Sequence, residues 1–399
     1  MNMLDSPSYE IDEGPLGPFD TPQKYEKIIE KLQVMIDNNN WNILFETAIE
    51  DARGTGAREM QYIKTLTDYY NFLNYFVRWV PTERESGTYV HRMMKTMYFV
   101  LSQKPVEQLQ SPIAPWSNPP YTELSQWILD FAKELGKFLS TKESITEASL
   151  KTFYTAQGYN LDAYEISAGG WKSFNDFFTR KLKNGTRPID GPSNPAVIVS
   201  AVDSSFGGCW SIGEESVVVL KGLSWSIKQL LSDSKYKDDF ASGLYMHEKL
   251  LVTDYHRIHA PVDGTVLEAK VIPGLAYYKV VASGEPGSSV SLRKVESESK
   301  ITLNVTSVDG FQFSQARNMI IIDSPIGKVA VLPIGMGQVS SVVLTVKVGQ
   351  KLKKGDEISF LQFGGSDCVL VFQNESQVSA LAVSGKQYRV GEQIAIAHK

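Results

Sequence analysis

Val329-Ala330-Val331-Leu332-Pro333-Ile334-Gly335-Met336-Gly337-Gln338-Val339-Ser340-Ser341-Val342-Val343-Leu344-Thr345-Val346 is the longest uncharged run in the chain. A membrane-crossing helix needs roughly 20 uninterrupted apolar residues. Pro333, Gly335, Gly337, Gln338, Ser340 and Ser341 break this run, and the apolar, largely β-branched stretches around the break predict strand, turn, strand. Working outward, β-branched runs bounded by Gly and Pro predict further strands at 217–220, 264–271, 319–322, 328–332, 342–348 and 357–363. The first third reads differently. Tyr25, Ile28, Ile29, Leu32 and Ile36 recur at helical spacing over 22–36, with Asp20-Thr21 as the expected cap. Similar patterns predict helices over 59–80, 89–102 and 121–139, with Pro81, Pro105 and the Pro-rich 111–120 as breaks, and shorter ones over 150–159 and 173–182. The fold class expected is α+β: an N-terminal α-helical domain, residues 1–150, packed on a mostly antiparallel β domain, residues 151–399.

Two stretches of the β part, Ala260-Pro261-Val262-Asp263-Gly264-Thr265-Val266 and residues 348–358, look like the strand-turn pieces of barrel-sandwich domains. Biotinyl and lipoyl carriers with that architecture hold their lysine at a hairpin tip flanked by apolar residues. No such lysine stands out here, which leaves a carrier role a weak reading.

The whole chain has 399 residues, 42% apolar and 21% charged, enough for two or three domains with substantial cores. Its 40 Lys and Arg against 45 Asp and Glu, a net charge of -5, argue against a nucleic-acid partner. Two cysteines, Cys209 and Cys368, make neither a disulfide framework nor a metal cluster and point to a reducing compartment, the cytoplasm. Residues 1–20 carry five acids and no basic, apolar leader, so no targeting peptide is expected.

Chemistry concentrates in two places. Of only five histidines, two fall in Thr253-Asp254-Tyr255-His256-Arg257-Ile258-His259-Ala260-Pro261. A structural hydrogen-bonding pair is the plain reading. A metal site is disfavoured, because positions three apart on a strand face opposite ways and no thiolate or carboxylate completes a ligand set. The second place is Phe363-Gly364-Gly365-Ser366-Asp367-Cys368. Alone it is an ordinary turn. It also suits self-processing, since attack of Ser366 Oγ on the Gly365 carbonyl needs an unhindered carbon and a backbone that tolerates strain.

Six stretches fall in the order found in phosphatidylserine decarboxylases: 173–182 with Arg187-Pro188-Ile189-Asp190, Val199-Ser200-Ala201-Val202-Asp203, Lys221-Gly222-Leu223-Ser224-Trp225-Ser226-Ile227, residues 254–261, Val271-Ile272-Pro273-Gly274 and Phe363-Gly364-Gly365-Ser366. The resemblance covers about residues 150–399. The helical third is more loosely similar to the soluble fungal branch that includes an L-tryptophan decarboxylase.

The resemblance implies a proenzyme that makes its own cofactor. Ser366 would attack the Gly365 carbonyl, the ester would undergo β-elimination, and the dehydroalanine would hydrolyse to a pyruvoyl group with loss of ammonia, leaving fragments 1–365 and 366–399, the second of 34 residues. By the same match Asp203 and His259 activate Ser366, while His256 meets the substrate. The pyruvoyl group forms a Schiff base with the substrate amine and serves as the electron sink in place of pyridoxal phosphate, with no metal. Relatives imply a homodimer.

This chain departs from the family pattern at Ala201 and Ser204, which flank the aspartate, and at Asp367, where the family usually has Thr or Ser. A carboxylate beside the scissile ester repels a developing oxyanion unless it is neutralised or turned away. Residues 89–101 have a Met-rich apolar face, read as core-facing in preference to membrane-binding. A small, aromatic L-amino acid is therefore the expected substrate. Phosphatidylserine, recognised by its head group, and an uncleaved decarboxylase-like protein with a binding role are the alternatives.

Overall fold

The computed structural model describes residues 16–114, 117, 119–166, 168–220, 223–283, 301, 303–305, 310–337 and 342–399. The helical part forms where the apolar periodicity predicts it, with corrections at the ends. The first helix spans Lys27–Asn38 and buries Ile28, Ile29, Leu32 and Ile36. It starts at Glu26, not at Asp20-Thr21: Thr21 Oγ1 instead accepts a 3.0 Å hydrogen bond from Asn71 Nδ2, which ties the preceding chain to another helix. A helix over Asn42–Gly54, unexpected from the sequence, buries Phe45, Ala48, Ile49 and Ala52. The pattern over 59–80 divides into a short turn, Arg58–Met60, and the helix Leu66–Val77, because Thr65 and Asp68 form a reciprocal capping box that starts a new helix. Pro105 lies within the first turn of a short helix, Lys104–Glu107, where its missing N–H costs nothing.

The Met-rich helix Tyr89–Leu101 buries Val90, Met93, Met94, Met97 and Tyr98, as a core-facing helix should. Glu123–Leu139 is capped by Thr122 and sends Trp127 Nε1 to Ile28 O at 2.8 Å, bonding two helices through a fully buried indole. The apolar core built by these helices also takes in Val252, Tyr255, Tyr278, Val280 and Phe363 from the β part. Among the described residues no helix is long and apolar enough to cross a membrane.

The β part is antiparallel throughout its named strand pairs, which bears out the α+β class. Eight strands form one sheet in the order Lys351–Leu352, Gly264–Ile272, Arg317–Ser324, Gly327–Met336, Gly365–Gln373, Gly243–Leu250, Ser204–Ile212 and Gln387–Tyr388. Strand alternation gives it two apolar faces: Met246, Ile320, Val331, Cys368 and Leu370 on one, Tyr245, Ile321, Leu332, Val369 and Val371 on the other. The long uncharged run does divide, into Gly327–Met336 and a strand Val342–Leu344 that joins a different sheet; the intervening 338–341 lie outside the described residues. Proline has no N–H to donate, and Leu332-Pro333 is where pairing with Arg317–Ser324 lapses between Val331 and Ile334.

The two look-alike stretches pair with each other. Lys351 and Leu352 face Thr265 and Gly264, Ala260 N donates to Asp356 O at 2.8 Å and Gly355 N to Ala260 O at 2.9 Å. That hairpin-like clasp brings the residues around His259 against the Gly355 turn.

Glu248 is an acid buried inside the sheet. It accepts hydrogen bonds from Ser200 and Ser204, and burial pushes its carboxyl up to about 7. A raised carboxyl pKa makes the folded state hold a proton that the unfolded chain releases near 4.5, so the stabilisation present below that pH is lost as pH rises through 7. Glu248→Gln should therefore flatten the fall in melting temperature between pH 5 and pH 8, a difference worth about 3 kcal/mol at the alkaline end. An unchanged pH profile would contradict this.

Candidate active site

Asp203 stands at the entrance of the Ser204–Ile212 strand, and its carboxylate is gripped from two sides. Arg187 Nε donates to Oδ1 at 3.0 Å and to Oδ2 at 3.2 Å, Arg187 Nη2 makes a further short contact, and the backbone N of Val390 donates at 2.9 Å. A guanidinium fork suits a carboxylate bidentately, which explains the arginine of Arg187-Pro188-Ile189-Asp190.

His259 does not bond Asp203. Its Nδ1 lies 2.6 Å from Gly355 O and its Nε2 2.9 Å from the Tyr255 hydroxyl. A carbonyl oxygen only accepts, so Nδ1 carries the proton and Nε2 presents a lone pair to the Tyr255 O–H. Burial lowers the pKa of this imidazole, opposed by the Gly355 hydrogen bond and by the charges of Glu357 and Asp203. Asp203 thus acts on His259 through its field. A cavity of about 280 Å³ reaches both Tyr255 and His259 and is bordered by Arg187, Lys181, Glu357 and Gly355.

His256 precedes the Arg257–His259 strand and faces elsewhere, toward Phe178. Its ring is fully buried 4.0 Å from the Phe178 ring centroid, and neither nitrogen makes a well-aligned hydrogen bond among the described residues, the Asp254 backbone giving only a weak contact. Burial, with Arg180 nearby, pushes its pKa down to about 3, so the imidazole is neutral. Buried polar groups are rarely left unpaired, so these nitrogens are available to a molecule that enters.

Gly365 and Ser366 begin the Gly365–Gln373 strand, pairing with Met336 and Gly335 on one side, while Ser366 faces Leu250 on the other. The approach is tightly held. Phe363 N donates to Asn175 Oδ1 at 3.1 Å, and its ring packs edge-on against Phe174 and Phe178 with centroids 5.4 and 5.5 Å apart. Asn175 in turn donates to Ser140 Oγ at 2.9 Å, and its short helix, Phe174–Phe178, is capped by Ser173. Phe178 therefore touches both His256 and the residue two before Gly365. Glycine-type backbone is required one position earlier than the sequence argument placed it: Gly364 has φ 146, a region that side chains with a Cβ rarely adopt.

Asp367 shares a face with Val369 and Val371, where its buried carboxylate lies 2.5 Å from His247 Nε2 and 3.4 Å from Gln312 Nε2. The carboxylate that departs from the family pattern is engaged by an imidazole across the strand pair. Arg187, Tyr255, His247 and Asn175 each hold a proposed site element that the linear pattern does not mark: Arg187, Tyr255 and Asn175 lie inside the family-like stretches, and His247 is one of the five histidines.

The family model for phosphatidylserine decarboxylase matches residues 174–396. The chain belongs to the phosphatidylserine decarboxylase family. It is 30% identical over 243 residues to the phosphatidylserine decarboxylase proenzyme of Fusobacterium nucleatum, covering 61% of this chain and 73% of that one. It is 32% identical over 230 residues to phosphatidylserine decarboxylase proenzyme 3 of Schizosaccharomyces pombe, covering 57% of this chain but only 22% of that longer protein. It is also 30% identical over 240 residues to the decarboxylase iboD of Amanita muscaria, covering 58% of this chain and 67% of that one. As a member of the phosphatidylserine decarboxylase family, the chain is a carboxy-lyase. The family match begins at residue 174, so the helical third lies outside it.

The His247–Asp367 pair makes a direct prediction. His247→Ala leaves a buried carboxylate without its imidazole and should cost about 3 kcal/mol of stability, most of it recovered by adding Asp367→Ser. Thermal melting of the single and double variants checks this, and equal losses in both would disprove the coupling.

Proposed function

We propose that this decarboxylase is a self-processing proenzyme. Ser366 attacks the Gly365 carbonyl, the main chain breaks between them, and a pyruvoyl group is left at residue 366 at the head of the 34-residue fragment 366–399. The observation that carries this reading is the backbone around the proposed break. Phe363 is clamped to Asn175, Gly364 adopts a conformation reserved for glycine, and Ser366 is fixed in a strand, so the two reacting residues are presented in one geometry. The same features fit the residue to be converted, since it stays in register after the break through its pairing with Gly335 and Leu250.

The roles follow from the local chemistry. The Nε2 lone pair of His259, neutral and held in one tautomer by Gly355, is the base that accepts a proton, with Tyr255 as the hydroxyl able to relay it. Asp203, fixed by Arg187, supports the positive charge that His259 acquires. Bound at residue 366, a pyruvoyl group supplies the sink for the electron pair left when carbon dioxide departs. His256, neutral and without a well-aligned hydrogen bond in a dry aromatic setting, meets the substrate.

For the substrate we favour a small aromatic L-amino acid. Tyr98, Met94 and Tyr278 come within 4 Å of where a side chain at Gly337 would begin, one residue beyond the partner of Gly365, and the buried Tyr98 hydroxyl has no partner among the described residues. Aromatic and thioether surface suits an aromatic side chain. Phosphatidylserine is the second reading, favoured by the names of the bacterial and yeast relatives.

The test is carbon dioxide release from purified protein given tryptophan, tyrosine, phenylalanine or phosphatidylserine vesicles. Release from a free amino acid, abolished by Ser366→Ala, is expected. Release from phosphatidylserine alone would overturn the amino-acid reading, and activity surviving Ser366→Ala would overturn the mechanism. His259→Gln should slow chain cleavage by about a hundredfold or more, followed by gel analysis of freshly made protein; an unchanged rate would remove His259 from the proton transfer.

A further inference from the structure

Two of the stretches quoted from the sequence, residues 221–227 and 271–274, have no part in the cleavage chemistry, and they meet at a separate cavity of about 510 Å³. Trp225 comes from the first, Ile272 and Pro273 from the second, and Phe313, Lys228, Lys237 and Arg317 complete the parts that bear on ligand choice. The lining contains three cations and no carboxylate.

Arg317 is the decisive residue. It is 4% exposed, and its guanidinium donates only to backbone carbonyls: Leu230 O at 2.9 Å, Phe313 O at 3.2 Å, Gln315 O at 2.9 Å and Gln229 O at 3.1 Å. These use four of its five N–H groups, and among the described residues the only titratable neighbour that acts on it is Tyr121, not a carboxylic acid. Burial lowers its pKa to about 10, which still leaves it charged at neutral pH. A buried charge normally requires a counter-charge, so its wall of the cavity favours an anion. Lys228 pairs with Asp238 at 2.6 Å, and that acid lies outside the cavity lining.

Trp225 adds an apolar ring behind the wall of the cavity, its indole nitrogen being sealed from that space. Its side chain is fully buried, and its indole N–H has no acceptor among the described residues. Gly310 makes room for it: a Cβ there would lie 1.9 Å from Trp225 Cε2. Phe313 packs against Trp225 in a tilted arrangement with ring centroids 5.2 Å apart, giving the cavity an apolar wall beside its cations. An anion with an attached organic body satisfies both parts.

We propose that this cavity binds a phosphoester anion, a free phosphate monoester or the phosphate of a lipid head group. Arg317, Lys228 and Lys237 supply the charge, and Trp225, Phe313, Ile272 and Pro273 contact the organic part. Arg317 pairs with Ile334, which pairs with Asp367, so the site sits in the same transverse row of the sheet as the neighbour of Ser366, two strand spacings or about 10 Å along. The site requires no chain cleavage, so its test is independent of carbon dioxide release.

The experiment uses the full chain at constant ionic strength. Calorimetric titration with sn-glycerol 3-phosphate and with inorganic phosphate is run beside sedimentation with phosphatidylcholine vesicles, with and without phosphatidic acid. Saturable one-to-one binding of glycerol 3-phosphate is expected, weakened about tenfold or more in Lys228→Gln/Lys237→Gln. Both lysines lie at the cavity rim, so an unchanged melting temperature verifies that this variant folds. Binding of the soluble ester without phosphatidic acid-dependent sedimentation assigns the site to a free phosphoester. Sedimentation that requires phosphatidic acid and is lost in the same variant assigns it to a lipid head group. Absence of saturable binding to every probe, or binding undiminished in the double variant, overturns the proposal.

Discussion

The hydrogen bond from the Phe363 backbone to Asn175 is the contact on which the arrangement at Gly365 depends. It reaches from a short helix to the mouth of a central strand, and the packing of Phe363 between Phe174 and Phe178 excludes water from it. Upstream of it the chain belongs to the aromatic core of the helical part; downstream it belongs to the sheet. A loop of unconstrained glycines would sample many conformations, and ordering each residue costs about 1–2 kcal/mol. Here the fixed ends meet that cost, and Gly364 turns between them with φ 146.

Charge is handled by the same logic of fixed partners. Asp203 has Arg187, Asp367 has His247, and Arg257 pairs with Glu357 at 2.7 Å beside His259. The two proposed catalytic imidazoles are left neutral by burial and differ in what surrounds them. His259 is bonded at both nitrogens to a carbonyl and a hydroxyl, which suits proton transfer; His256 is well bonded at neither, which suits contact with an incoming molecule. Two histidines three residues apart, His256 just before the Arg257–His259 strand and His259 at its end, thus acquire different chemistry because the chain turns them to different neighbours.

Much of this was legible in the sequence wherever a period or a scarce residue carried the signal. Alternation and β-branching marked the strands around residues 264–272, 317–324 and 327–336, and the Met-rich face of Tyr89–Leu101 marked a core helix. The Asn42–Gly54 helix escaped because its apolar positions are spaced among acids and follow a run of asparagines that reads as a terminus. Partner choice was harder to read. Asp203 could pair with any cation brought near it, and only the path of the chain from Arg187 to Val390 selects one. Asp367 looked like an obstacle in a linear reading because its partner, His247, lies 120 positions away.

The most direct test of the account is the intact mass of the freshly purified, unreduced and reduced chain. The account requires two polypeptides, residues 1–365 and a 34-residue piece beginning at 366, the latter gaining the mass of the expected adduct when treated with a hydrazine that captures ketones. A single unbroken polypeptide of 399 residues, stable over time and inert to the hydrazine, would contradict it.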